Sequence, residues 1–339
     1  MLARGLRRRF TSRDSLPSLV LLNADRINFD EKLDFTPLTS ICNITSYDIT
    51  STDEILDRVQ GHSIILNKEF PLPSSIISQF PSSVKLITEL GTGYNNLPLS
   101  ILKSHSISVN NLPTYATNSM SQQTITSLLS LSSSLHLQLK DTTKKYLNQC
   151  HLSSLPHNEV QGKTLGLIGG LGNIGTSVSK IAHVLGMHVI STSSSKPVGH
   201  VSSSGVEVVK TDDLFKESDY VSIHCPLNEE TKGMVDGRLL GMMKETAYVI
   251  NTSRGSIINE NDLVSVLKSN KIAGAALDVF GEGSAPPPAL DSDSGLWEVD
   301  NVILTPHIGW QRLETRQRIV DLTAEAIREW MRTGRGNVC

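Results

Sequence analysis

The chain is poor in the residues that build metal centres, disulfide scaffolds and membrane spans. Its 339 residues include four cysteines, Cys42, Cys150, Cys225 and Cys339, widely spaced and without a Cys-x-x-Cys pair. That excludes a zinc-type ligand pattern, leaves no case for a metal site, and points to a reduced compartment. No apolar run approaches the ~18 residues of a spanning helix, so no membrane role is expected. Positive charge is not in surplus either. The net charge is −3, which argues against nucleic-acid or membrane-surface binding by bulk electrostatics. What remains is a chain long enough for two domains of ordinary size, each able to bury a core.

One segment departs from this balance. The first thirteen residues, MLARGLRRRFTSR, carry five arginines (Arg4, Arg7, Arg8, Arg9, Arg13) and no acid before Asp14. Leu2, Leu6 and Phe10 recur at helical spacing between them, the composition of an organelle transit peptide. We expect residues 1–14 to be a mitochondrial leader, flexible, dispensable for folding and removed near Phe10 to Arg13. Its apolar surface is too small to offset the entropy of ordering it.

From Ser18 onward short apolar runs alternate with helix-like segments. SLVLLN (18–23), HSIILN (62–67), VKLITEL (84–90) and ISVNN (107–111) read as strands. STDEILDRVQ opens with a capping box, Ser51 followed three residues later by Glu54. This block is a small βα domain. The serine-rich stretch 117–141 keeps apolar residues at helical intervals and reads as one long helix.

The most informative stretch is Thr164 to Gly175, TLGLIGGLGNIG. An apolar run stops at glycines, and Gly170, Gly172 and Gly175 stand at G-x-G-x-x-G spacing before a helix-like segment. In a dinucleotide-binding turn the first glycine permits the tight turn, the second lets main chain approach a pyrophosphate, and the third lets helix pack on strand. The helix N-terminus then holds the phosphates, with Asn173 and Ile174 against them. Beyond Gly175, MHVIST, VEVVK, YVSIHCP, TAYVINTSRG, IAGAALDVF and NVILTPHIG read as strands, and TDDLF and NENDLVSVLKSNK as helices. Continuous apolar strands indicate a parallel, doubly wound α/β sheet. Ser253, Arg254, Asp278 and His307 fall at strand C-terminal ends, where such sheets bind ligands.

Five stretches in this order resemble the D-isomer-specific 2-hydroxyacid dehydrogenases: LGTGYNNLPLSILKSHSISVNNLPTYAT (90–117), GGLGNIG (169–175), HCPLNEETKGMV (224–235), INTSRGSIINENDLVSVLKSNKIAGAALDVF (250–280) and NVILTPHIGW (301–310). The glyoxylate/hydroxypyruvate reductase and glycerate dehydrogenase group is nearest in flavour. The resemblance implies a Rossmann-type dinucleotide-binding domain over 113–310, inserted into a smaller flavodoxin-like substrate domain of 15–112 and 311–339. It also implies an active site in the cleft, a homodimer, and a small 2-keto or 2-hydroxy acid as substrate.

Reduction of a 2-keto acid needs a cation for the carboxylate, a proton donor for the carbonyl oxygen and a dinucleotide for the hydride. Arg254 matches the family's substrate arginine, whose planar guanidinium suits a carboxylate. His307 matches the acid/base, since imidazole titrates near neutrality. Thr92 and Gly93 match the main-chain loop that binds the substrate carboxylate. Thr252, Ser253 and Asp278 match positions at the nicotinamide end, and Cys225 and Pro226 match main-chain contacts beside the cofactor.

Two departures from the family stand out. At the end of the second strand an acid normally meets the ribose 2′-hydroxyl, about twenty residues past the glycines. Here Ser193 takes that place, with Ser194, Ser195 and Lys196 after it, so NADP is expected to be preferred and NAD remains possible. The family's histidine-orienting glutamate falls on Gly283, and Glu282 stands one position early. Glu282 is the expected substitute. That gap leaves open a second reading, a dinucleotide sensor resembling the family's corepressor branch, with little or no turnover. A formate dehydrogenase ranks lower, because no glutamine stands near Gly283 to pair with the histidine.

Overall fold

The computed structural model describes residues 7–9, 16–140, 155–281 and 295–338. The chain divides into two compact units, Met1–Ala116 with Trp310–Cys339, and Thr117–Gly309.

The first unit carries a six-stranded sheet. Its strands are β1 (Arg7–Arg9), β2 (Ser18–Leu21), β3 (Asn43–Tyr47), β4 (Ile64–Asn67), β5 (Leu86–Glu89) and β6 (Ser108–Asn110), in the order β1-β3-β2-β4-β5-β6. From β3 to β6 all pairs are parallel, and the order 2-1-3-4-5 is that of the flavodoxin-like fold. β4 and β5 are buried at every position, as strands covered on both faces are, and the burial extends to the polar residues at their ends, Asn67, Thr88 and Glu89. Val20, Leu22, Ile55, Ile65, Ile87 and Val109 form one core. The capping box is present: the Ser51 N–H donates to Glu54 at 2.8 Å. It starts a short 3₁₀ turn that runs into the helix Ile55–Val59. The C-terminal helix Leu313–Thr333 is tied to this unit by Arg316. Its guanidinium donates to both Asp30 carboxylate oxygens at 2.8 and 2.7 Å and to the Ile27 carbonyl at 2.8 Å.

Two features of this unit depart from the sequence reading. β3 was not expected, because NITSY opens on asparagine and offers only one aliphatic residue. The arginine-rich start was expected to take no part in the fold, yet Arg7–Arg9 pairs antiparallel with Thr45–Tyr47. An unpaired strand edge recruits main-chain partners regardless of their side chains.

The second unit holds a parallel seven-stranded sheet: β7 (Thr164–Ile168), β8 (His188–Thr192), β9 (Glu207–Val208), β10 (Tyr220–Ile223), β11 (Tyr248–Asn251), β12 (Gly274–Leu277) and β13 (Val302–Leu304). The order β13-β12-β11-β10-β7-β8-β9 is the Rossmann order with one strand added. The winding reverses between β7 and β10, which places the ligand crevice at the C-terminal end of β7. The stretch expected as one helix is two, Thr117–Ser132 and Leu135–Lys140. They break at Ser134, whose φ is +50°; residue 141 lies outside the described residues.

Candidate active site

β7 ends at a turn whose left-handed residue is Gly169 (φ +82°), one place before the first glycine of the motif. A Cβ there would stand 3.0 Å from the Cys225 amide nitrogen, so this position needs glycine twice over. Gly170, expected to make the turn, instead makes room: a Cβ on it would lie 2.7 Å from Ser191 Oγ. Gly175 permits the close helix approach that the sequence implied, since a Cβ would meet the Gly170 Cα at 2.5 Å. Gly172 is the N-cap of the helix Asn173–Val184, where a Cβ would meet nothing nearer than 3.5 Å. The free amides of the first turn, Asn173 and Ile174 included, are thus offered to an anion.

Ser191, which the sequence reading passed over, supports this turn. Fully buried, it accepts from the Gly170 N–H at 3.0 Å and donates to the Leu167 carbonyl at 2.9 Å. Past β8, Ser193 accepts from the amides of Ser195 and Lys196, both at 3.2 Å. The Ser193–Lys196 turn is therefore ordered by its own hydroxyl. It presents hydroxyls, amides and an ammonium, and no carboxylate.

A second cluster lies at the ends of β11, β12 and β13. Asn251, fully buried at the end of β11, clamps the loop after it. Its Oδ1 accepts from the Ser253 N–H at 3.0 Å and its Nδ2 donates to the Arg254 carbonyl at 2.9 Å. Ser253 Oγ donates to the Cys225 carbonyl at 2.6 Å, which joins the loop to the end of β10. Thr252 is buried against Thr124, with hydroxyls 3.2 Å apart. Arg254 Nη1 donates to the Ser253 carbonyl at 2.9 Å, while its Nε is buried without a hydrogen-bond partner among the described residues. A buried guanidinium N–H left unpaired is costly, and it is the group expected where an acceptor arrives with a ligand.

Asp278 follows β12 and is 2 % exposed. Its carboxylate accepts from Thr305 Oγ1 at 2.5 Å, from the Ile308 N–H at 3.0 Å and from the Gly309 N–H at 2.9 Å. These bonds shape the loop that carries His307, whose φ is +55°. The sequence marked Asp278 as a cofactor contact; its position gives it the further task of holding the histidine loop. Near the same edge, burial pushes the Cys225 thiol up to about 11 and His224 down to about 4. Neither thiolate nor imidazolium is favoured there, in keeping with packing roles. Pro226, exposed, gives its carbonyl to Thr231 Oγ1 at 2.7 Å.

Thr92 and Gly93 belong to the first unit, on the loop after β5. Thr92 Oγ1 donates to the Leu112 carbonyl at 3.1 Å, and Asn111 Nδ2 donates to the Thr92 carbonyl at 2.8 Å. Glu282, the expected partner of His307, and Gly283 lie outside the described residues. Among the described residues, no group of three or more His, Cys, Asp or Glu side chains is placed to hold a metal, and no helix is long and apolar enough to cross a membrane.

A family model, D-isomer specific 2-hydroxyacid dehydrogenase, NAD binding domain, matches residues 125–309. A hydroxypyruvate reductase of Blautia hydrogenotrophica is 33% identical over 313 residues, covering 90% of this chain and 94% of the relative. Among solved structures, the acyclic imino acid reductase Bsp5 in complex with NADPH and D-Arg is similar with a TM-score of 0.78 at 27% identity, covering 93% of this chain and 97% of that one. D-lactate dehydrogenase from Aquifex aeolicus, complexed with NAD and lactic acid, gives 0.77 at 26%, covering 93% and 95%. The chain belongs to the D-isomer-specific 2-hydroxyacid dehydrogenase family. Its second unit is the family's Rossmann-type domain for a nicotinamide cofactor, and the glycine turn and open helix N-terminus fit that group.

Proposed function

We propose that this chain reduces a small 2-keto acid, glyoxylate or hydroxypyruvate, to the 2-hydroxy acid with NADPH as preferred cofactor. The observation that carries the reading is Arg254. It is held by the Asn251 clamp at the C-terminal edge of the cofactor sheet, with a buried N–H awaiting an acceptor. A substrate carboxylate satisfies it with charge-assisted hydrogen bonds. His307 gives a proton to the carbonyl oxygen in reduction and removes it in oxidation. The bound dinucleotide supplies the hydride to the carbonyl carbon. Thr92 and Gly93 are proposed to offer main-chain amides to the carboxylate, and Thr252, Ser253, Cys225, Pro226 and Asp278 to line the nicotinamide end.

The choice among keto acids is supported by the hydroxypyruvate reductase relative. The cofactor preference is supported by the acid-free Ser193–Lys196 turn, whose hydroxyls, amides and Lys196 suit a 2′-phosphate. A spectrophotometric scan of glyoxylate, hydroxypyruvate and pyruvate with NADPH and NADH tests it. No oxidation of either cofactor with any of the three overturns the reading. A homodimer is proposed as well, to be checked by sedimentation. Mitochondrial import with removal of residues 1–14 is proposed from the arginine-rich start, and an intact Met1 on organelle protein would overturn that.

A further inference from the structure

Lys68 is an ammonium group with no exposed surface, and the proposed chemistry does not use it. It directly follows β4. Its Nζ donates to Glu69 Oε1 at 2.9 Å and to Tyr115 Oη at 3.3 Å, and stands 3.9 Å from the centroid of the Trp310 ring. It also stands 3.5 Å from where a Cβ on Gly91 would lie. Burying an ammonium is expensive unless it is paired. Here two aromatic faces, a carboxylate and a phenol oxygen from three stretches of chain converge to accommodate it.

Beside it lies Glu89, the last residue of β5 and fully buried. Glu89 accepts from the Glu69 N–H at 2.7 Å and from the side-chain amides of Asn67 and Asn96, both at 2.8 Å. Glu89 and Asn96 bracket the loop that contains Gly91, Thr92 and Gly93, so this carboxyl closes the loop on itself. Glu69 and Glu89 are thus two buried carboxyl groups behind this loop, and at Gly91 the Lys68 ammonium and the Glu89 carboxyl stand side by side, 3.5 and 3.7 Å from where a Cβ would lie. Burial disfavours the Lys68 charge, but Glu69, Tyr115 and Glu89 more than restore it, and the ammonium stays protonated.

We infer that Lys68 is a positioning residue for the Gly91–Thr92–Gly93 loop: it fixes the loop's base and offsets the buried Glu69 carboxylate paired with it, which would otherwise repel the substrate carboxylate. The anionic substrate rests on the function proposed above; the mechanical part does not.

The test compares wild type, Lys68→Met and Tyr115→Phe. Tyr115→Phe keeps the aromatic face, removes one Lys68 acceptor, and serves where Lys68→Met fails to fold. Hydroxypyruvate and glyoxylate kinetics are measured together with amide hydrogen exchange over residues 90–96. In Lys68→Met the keto-acid KM rises about tenfold through like-charge repulsion, while kcat and the cofactor KM stay within about twofold. Residues 90–96 exchange faster than in wild type. Tyr115→Phe shifts both readouts the same way and less. Unchanged keto-acid KM with unchanged loop exchange overturns the inference, and so does a loss confined to thermal stability. If wild type reduces no keto acid, the proposed function falls, and the exchange data alone decide whether Lys68 holds the loop.

Discussion

The main-chain N–H of His307 donates to the carbonyl oxygen of Asp278 at 2.9 Å, and the Asp278 carboxylate accepts the amides of the next two residues. A non-glycine residue at positive φ costs about 1–3 kcal/mol and persists only where its surroundings impose it. Asp278 is what imposes it here. Removing the carboxylate with Asp278→Ala leaves the Ile308 amide and the buried Gly309 amide without this acceptor and frees the histidine backbone. We expect kcat to fall more than about tenfold and Tm to drop by several degrees, read by steady-state kinetics and calorimetry. A variant with lower Tm and unchanged kcat would show that the loop finds its shape without the carboxylate.

Arg254 gives a sharper chemical test. Lysine in its place keeps the charge but loses the planar fork that meets two carboxylate oxygens. We expect Arg254→Lys to lower kcat/KM by about a hundredfold and Arg254→Met by more, with cofactor affinity from fluorescence titration little changed. Equal activity of Arg254→Lys and wild type would remove the guanidinium from the proposed site.

The proposed preference for NADPH rests on the Ser193–Lys196 turn. A carboxylate at residue 193 repels a 2′-phosphate and accepts from a 2′-hydroxyl. Ser193→Asp is expected to reverse the preference from NADPH to NADH in kcat/KM. Wild type already favouring NADH would refute the assignment.

Stability against acid is written into His224. Its ring keeps a little accessible surface but is enclosed by packed atoms, and burial holds it down to about 4 from an ordinary 6.5. The unfolded chain therefore takes up a proton that the folded chain refuses. The resulting stabilisation is complete above about pH 6.5 and is lost as pH falls through 4. The shift corresponds to about 3 kcal/mol. His224→Gln should flatten the fall of Tm between pH 6.5 and 4, measured by calorimetry across that range. An unchanged slope would mean that other groups set the acid limb.

The strands most easily read in the sequence were those rich in aliphatic and aromatic residues, because burial on both faces selects for them. β4, β5, β10 and β11 are of this kind, although each also buries a polar residue, and the glycine spacing marked the turn after β7. β3 was missed because its partners, not its composition, make it a strand. The residues that build the site from behind were invisible for a related reason. Ser191, Asn251 and Lys68 are ordinary polar letters until the fold shows that each is fully buried with its bonds directed at a loop. Gly169 shows the same limit at single-residue scale: the motif gives three glycines, and only the folded backbone shows that a fourth makes the turn.

The carboxylate partner of His307 is the remaining question the sequence raised. The resemblance puts the family's glutamate at Gly283, and Glu282 precedes it. A carboxylate beside an imidazole favours the imidazolium and fixes its tautomer. Reduction consumes that proton, so activity falls as pH rises through the pKa of the histidine. With no carboxylate the pKa is lower, and the fall in kcat/KM comes at lower pH. We propose that Glu282 fills the role from its place between Gly281 and Gly283, since glycines permit main-chain conformations that other residues resist. Glu282→Gln is then expected to lower kcat/KM by about tenfold or more and to move the alkaline limb of the profile toward acid. Gly283→Glu in the Glu282→Gln background should restore both. The measurement is kcat/KM for reduction against pH in wild type, Glu282→Gln, Gly283→Glu and the double variant. Full activity in Glu282→Gln with a gain in Gly283→Glu would sink the choice of Glu282.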